Sequence, residues 1–274
     1  SRHKPDQIVV FHYFLIQPVY DALAAMEMNI PVTVVVTDPY TAHPIWFLNK
    51  QPDFIVFSKQ LKEQLIDKGL GPEKVHHFPQ IIQPRFEKQP GPATRNQWMK
   101  KHGLFPERKT ILIFGGGDGL KNGHLVLKKL TRLSVPANLV IVCGRNLVMY
   151  QLAQKIAESP GKAHVKVFGF VDFMHELLGV ANIVISKCGA SALAEILISK
   201  KIPVVIDYIW EQEKGNVDFI LENQLGFYQP NPAKVMVLVE ELLADDHLLK
   251  SYQKRIENLN YRNGVYDIAA FLMQ

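Results

Sequence analysis

Four stretches of this sequence hold residue types that could bind or transfer a charged, hydroxylated group. FGGGDGLKN (114–122) is a glycine-rich turn between an apolar run and a helical pattern. Glycines there let backbone N–H groups approach an anion, and the helix start adds partial positive charge. The turn is neither GxxxxGK[ST] nor a clean GxGxxG, so phosphate binding at Gly116 and Gly117 competes with a merely tight turn. SKCGASALAEI (186–196) repeats the pattern. Gly189 permits a sharp turn, and Ser191 and Ala192 would offer first-turn amides. Glu195 lies one helical turn beyond Ser191, where its carboxylate either accepts two ribose hydroxyls or closes a capping box with Ser191. DYIWEQEKGN (207–216) places Tyr208 and Trp210 beside Gln212 and Glu213, a set suited to stacking on and hydrogen-bonding a sugar. TDPYTAHPIWF (37–47) holds Asp38 and His43 five residues apart. There Asp38 acts as a base, orients His43, or only caps the turn before Pro39. HExxH, CxxC and DxD do not occur, so no metal cluster is expected.

These stretches need a scaffold that brings them to one edge. β-branched runs alternate with helical patterns from end to end: 8–12, 32–38, 53–58 and 75–78, then 110–115, 137–144, 164–169, 182–187, 202–207 and a weak 225–229. That rhythm predicts parallel sheets covered on both faces. Ser58 is the expected N-cap of a helix that Gly69 stops. PQIIQPRFEKQPGP (79–92), with four prolines, reads as a linker. The expected organisation is therefore a partial Rossmann-like domain over 1–85 and a complete doubly wound domain over 86–274. Two further strands end on the same carboxyl edge. VCGRN (142–146) brings Arg145, and GFV (169–171) brings Phe170, either beside a flat base or in the core.

The chain has 274 residues, 47% apolar and 21% charged, with a net charge of +5. That composition is globular. The longest apolar run, IVVFHYFLI, is too short to span a bilayer. Cys143 and Cys188 make no disulfide framework, and no export signal opens the chain, so a cytoplasmic location is expected. The basic excess suits an anionic partner, but its residues are scattered and no nucleic-acid motif occurs. Trp46, Phe47 and Leu48 beside Lys50 read either as an interfacial anchor or as core.

Taken in order, TDPYTAHPIWF, FGGGDG, VCGRN, GFVDFM, SKCGASALAEILISKKIPVVIDY and QEKGNVDFILENQLG resemble the monogalactosyldiacylglycerol synthase and processive diacylglycerol glycosyltransferase group. That group is related to the transferase that adds N-acetylglucosamine to the lipid-linked cell-wall precursor. The resemblance implies a two-domain GT-B α/β fold with the active site between the domains. It implies inverting transfer of galactose or glucose from a UDP-sugar to diacylglycerol, without an obligatory metal or other cofactor. It also implies peripheral docking on an anionic membrane. By residue, Gly116 and Gly117 approach the donor's phosphate end, and Arg145 and Phe170 lie near the uracil. Ser191 and Ala192 offer amides to the diphosphate, and Glu195 holds the ribose. Gln212 and Glu213 read the transferred hexose, and Gly189 and Asn216 also belong to the donor site. Asp38 and His43 face the acceptor, and Trp46 and Phe47 face the membrane.

The sequence departs from that group at three places. Trp210-Glu211 stands where Pro-Gly is usual before Gln-Glu. KAGPGT reads KCGASA. The opening GGGH-type loop does not occur. The expectation is an N-terminal domain that lacks a segment or is completed by another polypeptide. A polyprenyl-linked acceptor and a non-catalytic UDP-sugar-binding subunit stand as the alternative functions.

Overall fold

The computed structural model describes residues 5–274. The chain divides into two compact units. The first comprises the chain up to Ile81 with Ile209–Asn216 and Asn263–Gln274, and the second comprises Ile82–Tyr208 and Val217–Arg262. A single cut at 85/86 does not describe the two later segments that group with the first unit.

Unit one is built on β1 (Ile8–Val10), β2 (Val32–Val35), β3 (Asp53–Val56) and β4 (Val75–His77). All pair in parallel, in the order β1-β2-β3-β4. Successive side chains on a strand point to opposite faces, and the core follows that rule. Val34, Phe54 and Val56 pack on one face with Trp46, Leu61 and Leu65. Val35 and Ile55 pack on the other with Ile268 and Phe271. α1 (Ile16–Ala25) and α2 (Lys59–Asp67) serve the first face, while the last helix of the chain, α11 (Val265–Leu272), covers the second. Ser58 Oγ accepts the Leu61 N–H at 3.1 Å, a cap worth about 1 kcal/mol. The first strand is shorter than expected. It ends at Val10, and His12 caps a 3-10 turn by accepting the Phe14 N–H.

Unit two has six parallel strands: β5 (Lys109–Phe114), β6 (Ala137–Val142), β7 (His164–Phe168), β8 (Ile183–Lys187), β9 (Ile202–Asp207) and β10 (Phe227–Tyr228). Their order is β10-β9-β8-β5-β6-β7. The runs TILIF, NLVIV and IVIS are buried throughout, as parallel strands covered on both faces must be. Helices α3 (Pro92–Lys101), α4 (Gly123–Leu130), α5 (Leu147–Ala157), α6 (Met174–Val180), α7 (Ala190–Ile198), α8 (Lys214–Glu222), α9 (Pro232–Ala244) and α10 (Asp246–Asn258) complete the crossovers and the tail, the start of α8 up to Asn216 grouping with unit one. The proline-rich 79–92 stretch is not a free tether. Ile82 and Phe86 are buried in the core of unit two, and Arg85 donates to the Asp172 carbonyl at 2.9 Å. Two cations close the C-terminus of α6: Arg95 donates to Val180 O at 2.9 Å and Lys201 to Gly179 O at 3.2 Å. Orphan carbonyls and the negative end of the helix dipole favour both.

Candidate functional site

In unit two the strand order reverses beside β5. β6 and β7 lie to one side, and β8, β9 and β10 to the other. Open α/β sheets bind ligands at the carboxyl ends of the strands flanking that reversal. Here the flanking strands are β5 and β8, and they carry the two glycine turns. The β5 turn is built to be approached. Gly116 sits at φ +84°, and a Cβ on Gly116 or Gly117 would meet nothing within 4 Å. Its other side is closely packed. Arg145 N–H donates to Gly117 O at 2.7 Å, and a Cβ on Gly144 would stand 2.2 Å from that same carbonyl. Gly144 also has φ +59°, so only glycine suits the position.

The β8 turn opens α7 at Gly189, with no side chain capping the helix. First-turn amides of an uncapped helix, here those of Ser191 and Ala192, are donors for an anion. Glu195 stands further along, half-buried. The capping-box reading fails because the N-cap is Gly189 and Ser191 makes no cap bond. Burial raises the Glu195 carboxyl to about 7, against the opposing pull of the Arg85 guanidinium. Arg85 lies in the stretch read as a linker, which is why sequence patterning passed over it.

Arg145 and Phe170 leave adjacent strands β6 and β7 and meet. The guanidinium lies over the ring at 5.0 Å, and Phe170 is 61% exposed. An exposed aromatic face held by a cation is a platform for a flat, hydrogen-bonding ring.

The second constellation belongs to unit one, at the carboxyl end of β2. Asp38, 4% exposed, accepts Trp46 Nε1 at 2.8 Å through Oδ2 and Gln212 Nε2 at 3.0 Å through Oδ1. Asp38 does not hold His43. The imidazole Nδ1 accepts Ile45 N–H at 3.2 Å and caps the 3-10 turn Pro44–Phe47. Trp46 is 1% exposed, so it is no membrane anchor. Its N–H needs a buried acceptor, and Asp38 supplies one. Phe47 packs on Phe54 at 5.4 Å, and only Leu48 of the three is exposed.

The 209–216 segment is tied down by residues that patterning missed. Thr41 Oγ1 accepts Gly215 N–H at 3.2 Å and donates to Glu211 O at 3.3 Å. Glu213 is buried, with one carboxylate oxygen taking Ile209 N–H at 2.8 Å, so it shapes the loop. Asn216 is buried at the start of α8, and Trp210 is two-thirds exposed.

Comparison with known proteins follows the same division. Residues 1–79 match the family described as monogalactosyldiacylglycerol (MGDG) synthase. Residues 110–261 match the glycosyltransferase family 28 C-terminal domain. The chloroplastic monogalactosyldiacylglycerol synthase of Spinacia oleracea is 28% identical over 250 residues, covering 88% of this chain and 47% of that protein. The processive diacylglycerol beta-glucosyltransferase of Staphylococcus carnosus is 26% identical, covering 99% and 68%. The chain thus spans about half the length of the plant relative. Among solved structures, Acinetobacter baumannii MurG superposes with a TM-score of 0.67 at 16% identity, over 92% of this chain and 69% of that one. Anabaena Alr3699/HepE in complex with UDP gives 0.67 at 14% identity, over 97% and 78%. The fold is GT-B, two parallel-sheet α/β domains. Matched over more than half its length, the chain belongs to glycosyltransferase family 28.

Proposed function

We propose that this protein is an inverting glycosyltransferase that moves a hexose, galactose or glucose, from a UDP-sugar to diacylglycerol at a membrane surface. The observation that carries the reading is the pair of glycine turns on neighbouring strands β5 and β8 at the reversal of strand order, with Glu195 a turn into the helix behind one of them. Amides of the β5 turn and of Ser191 and Ala192 take the diphosphate. Glu195, ionised, accepts the ribose hydroxyls. Phe170 and Arg145 take the uracil. Asp38 is the better of the two base candidates, because its carboxylate is fixed by two N–H donors, whereas His43 spends a ring nitrogen on a turn. Asp38 accepts the proton of the acceptor hydroxyl, whose oxygen bonds to the anomeric carbon as the bond from that carbon to the diphosphate breaks. UDP leaves with its new charge on the amides, so no obligatory metal is invoked. Gln212 holds Asp38 with its amide N–H and offers its amide oxygen to the sugar.

For the acceptor, unit one has a cleft of about 260 Å³ lined by Tyr13, Phe14, Ile16, Ile45 and Leu48, with Gln17 and Asn49 as its polar members. Phe14 and Leu48 are exposed there, and Phe11 and Leu15 are exposed on the same short stretch of chain. Apolar side chains in that number suit acyl chains and a peripheral contact with lipid. No described helix is long and apolar enough to cross a membrane.

The test is transfer of radiolabel from UDP-galactose and UDP-glucose to diacylglycerol and to a polyprenyl diphosphate sugar, with UDP binding followed by calorimetry. Label in diacylglycerol supports the reading. Label only in the polyprenyl acceptor redirects it, binding without transfer favours a non-catalytic subunit, and absence of UDP binding ends it.

A further inference from the structure

Of the two carboxylates that flank Gln212, one is engaged inside the loop and the other is not. Glu213 is 6% exposed, and one of its oxygens takes the Ile209 N–H at 2.8 Å. Glu211 is exposed, and its carboxylate makes no hydrogen bond or ion pair among the described residues.

The backbone at Glu211 suits glycine better than glutamate. Its φ is +65°, in the left-handed region. The Gln212 N–H donates to Trp210 O across it at 2.8 Å, which closes a three-residue turn of the rare, strained kind. A residue with a Cβ is disfavoured there, and glycine is not. Where the related group usually has Pro-Gly, this chain has Trp210-Glu211. Thr41 pins the turn to the body of unit one. Its Oγ1 lies 3.3 Å from Glu211 O and 3.5 Å from Gln212 O. With those carbonyls engaged, Trp210, Glu211 and Gln212 stand exposed in succession.

Strain that glycine would remove is here retained at a side chain with no partner in the described fold. Such strain is a mark of a functional position. An indole, a carboxylate and an amide in succession are groups that grip a pyranose. The indole packs on a C–H face, and the carboxylate, with two acceptor oxygens, takes two neighbouring hydroxyls. A carboxylate also rejects a sugar that carries one of its own, because the like charges repel.

We propose that Glu211 reads the hydroxyls of the donor hexose and excludes sugars bearing a carboxylate, an assignment that rests on the UDP-sugar site proposed above. The charged contact to the hexose then comes from Glu211, while the buried Glu213 holds the loop in shape.

Calorimetry of the full chain with UDP, UDP-galactose, UDP-glucose and UDP-glucuronate tests it, with transfer to diacylglycerol measured alongside. Wild type should bind the better neutral donor at least about tenfold more tightly than UDP-glucuronate. Glu211→Gly relieves the strain and should melt no lower than wild type. It should bind UDP within about twofold of wild type, yet hold the neutral donor at least about tenfold more weakly, as for lost hydrogen bonds to a charged group. Glu211→Gln keeps the shape without the charge, and should lower the preference over UDP-glucuronate at least about fivefold. Glu63→Gln, the same change of charge at an exposed position of α2, should leave every ratio within about twofold. Equal losses of UDP and neutral donor, unaltered ratios in both Glu211 variants, or a lower melting temperature for Glu211→Gly overturn the proposal. Donors bound with the expected ratios but never transferred would sink the transferase reading and still support Glu211 as the hexose contact. Normal transfer with unaltered ratios would sink the Glu211 assignment alone.

Discussion

Gln212 donates its side-chain N–H to Asp38 Oδ1 at 3.0 Å across 174 residues of chain. The other oxygen of the same carboxylate takes the Trp46 indole N–H at 2.8 Å. A buried carboxylate with a donor on each oxygen is held in one orientation. That is what a base needs when it must meet a hydroxyl in one geometry.

Replacing Asp38 by Asn keeps the volume and removes the proton acceptor. Transfer should fall by about 10²- to 10⁴-fold, the range for losing a general base, with UDP affinity changed less than about twofold. Trp46→Phe leaves Asp38 with one donor and should lower kcat by about tenfold with KM little altered. Full activity in Asp38→Asn would transfer the base role to another group.

Much of this was legible in the sequence, and the exceptions are physical. Parallel strands are short β-branched runs, so most of the ten stand out by composition, while β4, Val75–His77, holds only one such residue. β10, two residues long, barely stands out. Ser58 and the glycine turns are local features, read from their neighbours. Trp46 was ambiguous because an indole beside a lysine is common both at lipid interfaces and in cores. Its fate depends on whether a buried acceptor lies within reach, and periodicity does not report that. The Asp38–Gln212 bond is a pairing of distant chain, as is Thr41 with Gly215, and the charge of Arg85 acts on Glu195 from as far away in sequence. Proline density made 79–92 look like a tether, whereas the burial of Ile82 and Phe86 decides that stretch.

Lys201 gives a stability test independent of function. Burial and the neighbouring charges of Arg95 and Lys200 lower its ammonium from 10.5 to about 8. Below pH 8 the folded and unfolded chains both hold the proton, and the folded state bears the cost of burying the charge. Between about 8 and 10.5 only the unfolded chain holds it, so the stability of unit two from this group rises with pH across that window. Since the residue is half-buried, the gain is discounted to on the order of 1 kcal/mol. Urea melts at pH 7.5 and 9.5 should show that rise in wild type and a smaller one in Lys201→Met. A parallel response in both would remove Lys201 as the cause.

The two sides of the β5 turn should respond oppositely to added bulk. Gly144→Ala places a Cβ 2.2 Å from Gly117 O at a positive φ, and should cost about 2 kcal/mol or more, several degrees of melting temperature. Gly117→Leu projects into open space. It should melt within about 2 °C of wild type, as surface changes do, yet lose UDP binding at least about tenfold by filling the crevice. Tight UDP binding by Gly117→Leu would place the diphosphate elsewhere.

Transfer should proceed without a divalent cation. With amides taking the leaving charge, initial rates in excess EDTA should stay within about twofold of those with magnesium or manganese. A chelator-dependent loss restored by one of these ions would contradict the amide mechanism.

The ribose role proposed for Glu195 predicts donor binding that is sensitive to pH near neutrality. Its carboxyl titrates at about 7 because of burial, and only the ionised form can accept two ribose hydroxyls. Binding therefore favours ionisation, lowers the carboxyl pKa in the complex and releases a proton. UDP affinity should rise with pH through 7 and level off above about 8, falling about fivefold from pH 7 to 6, as the ionised fraction does. The terminal phosphate of UDP also titrates near 6, so the comparison is with Glu195→Gln. That variant should bind at least about tenfold more weakly at pH 8, the loss expected for hydrogen bonds to a charged group. It should keep only the shallower dependence owed to the ligand. Calorimetry in buffers of different ionisation enthalpy would count the released proton. Identical pH profiles for wild type and Glu195→Gln would remove the carboxylate from the ribose.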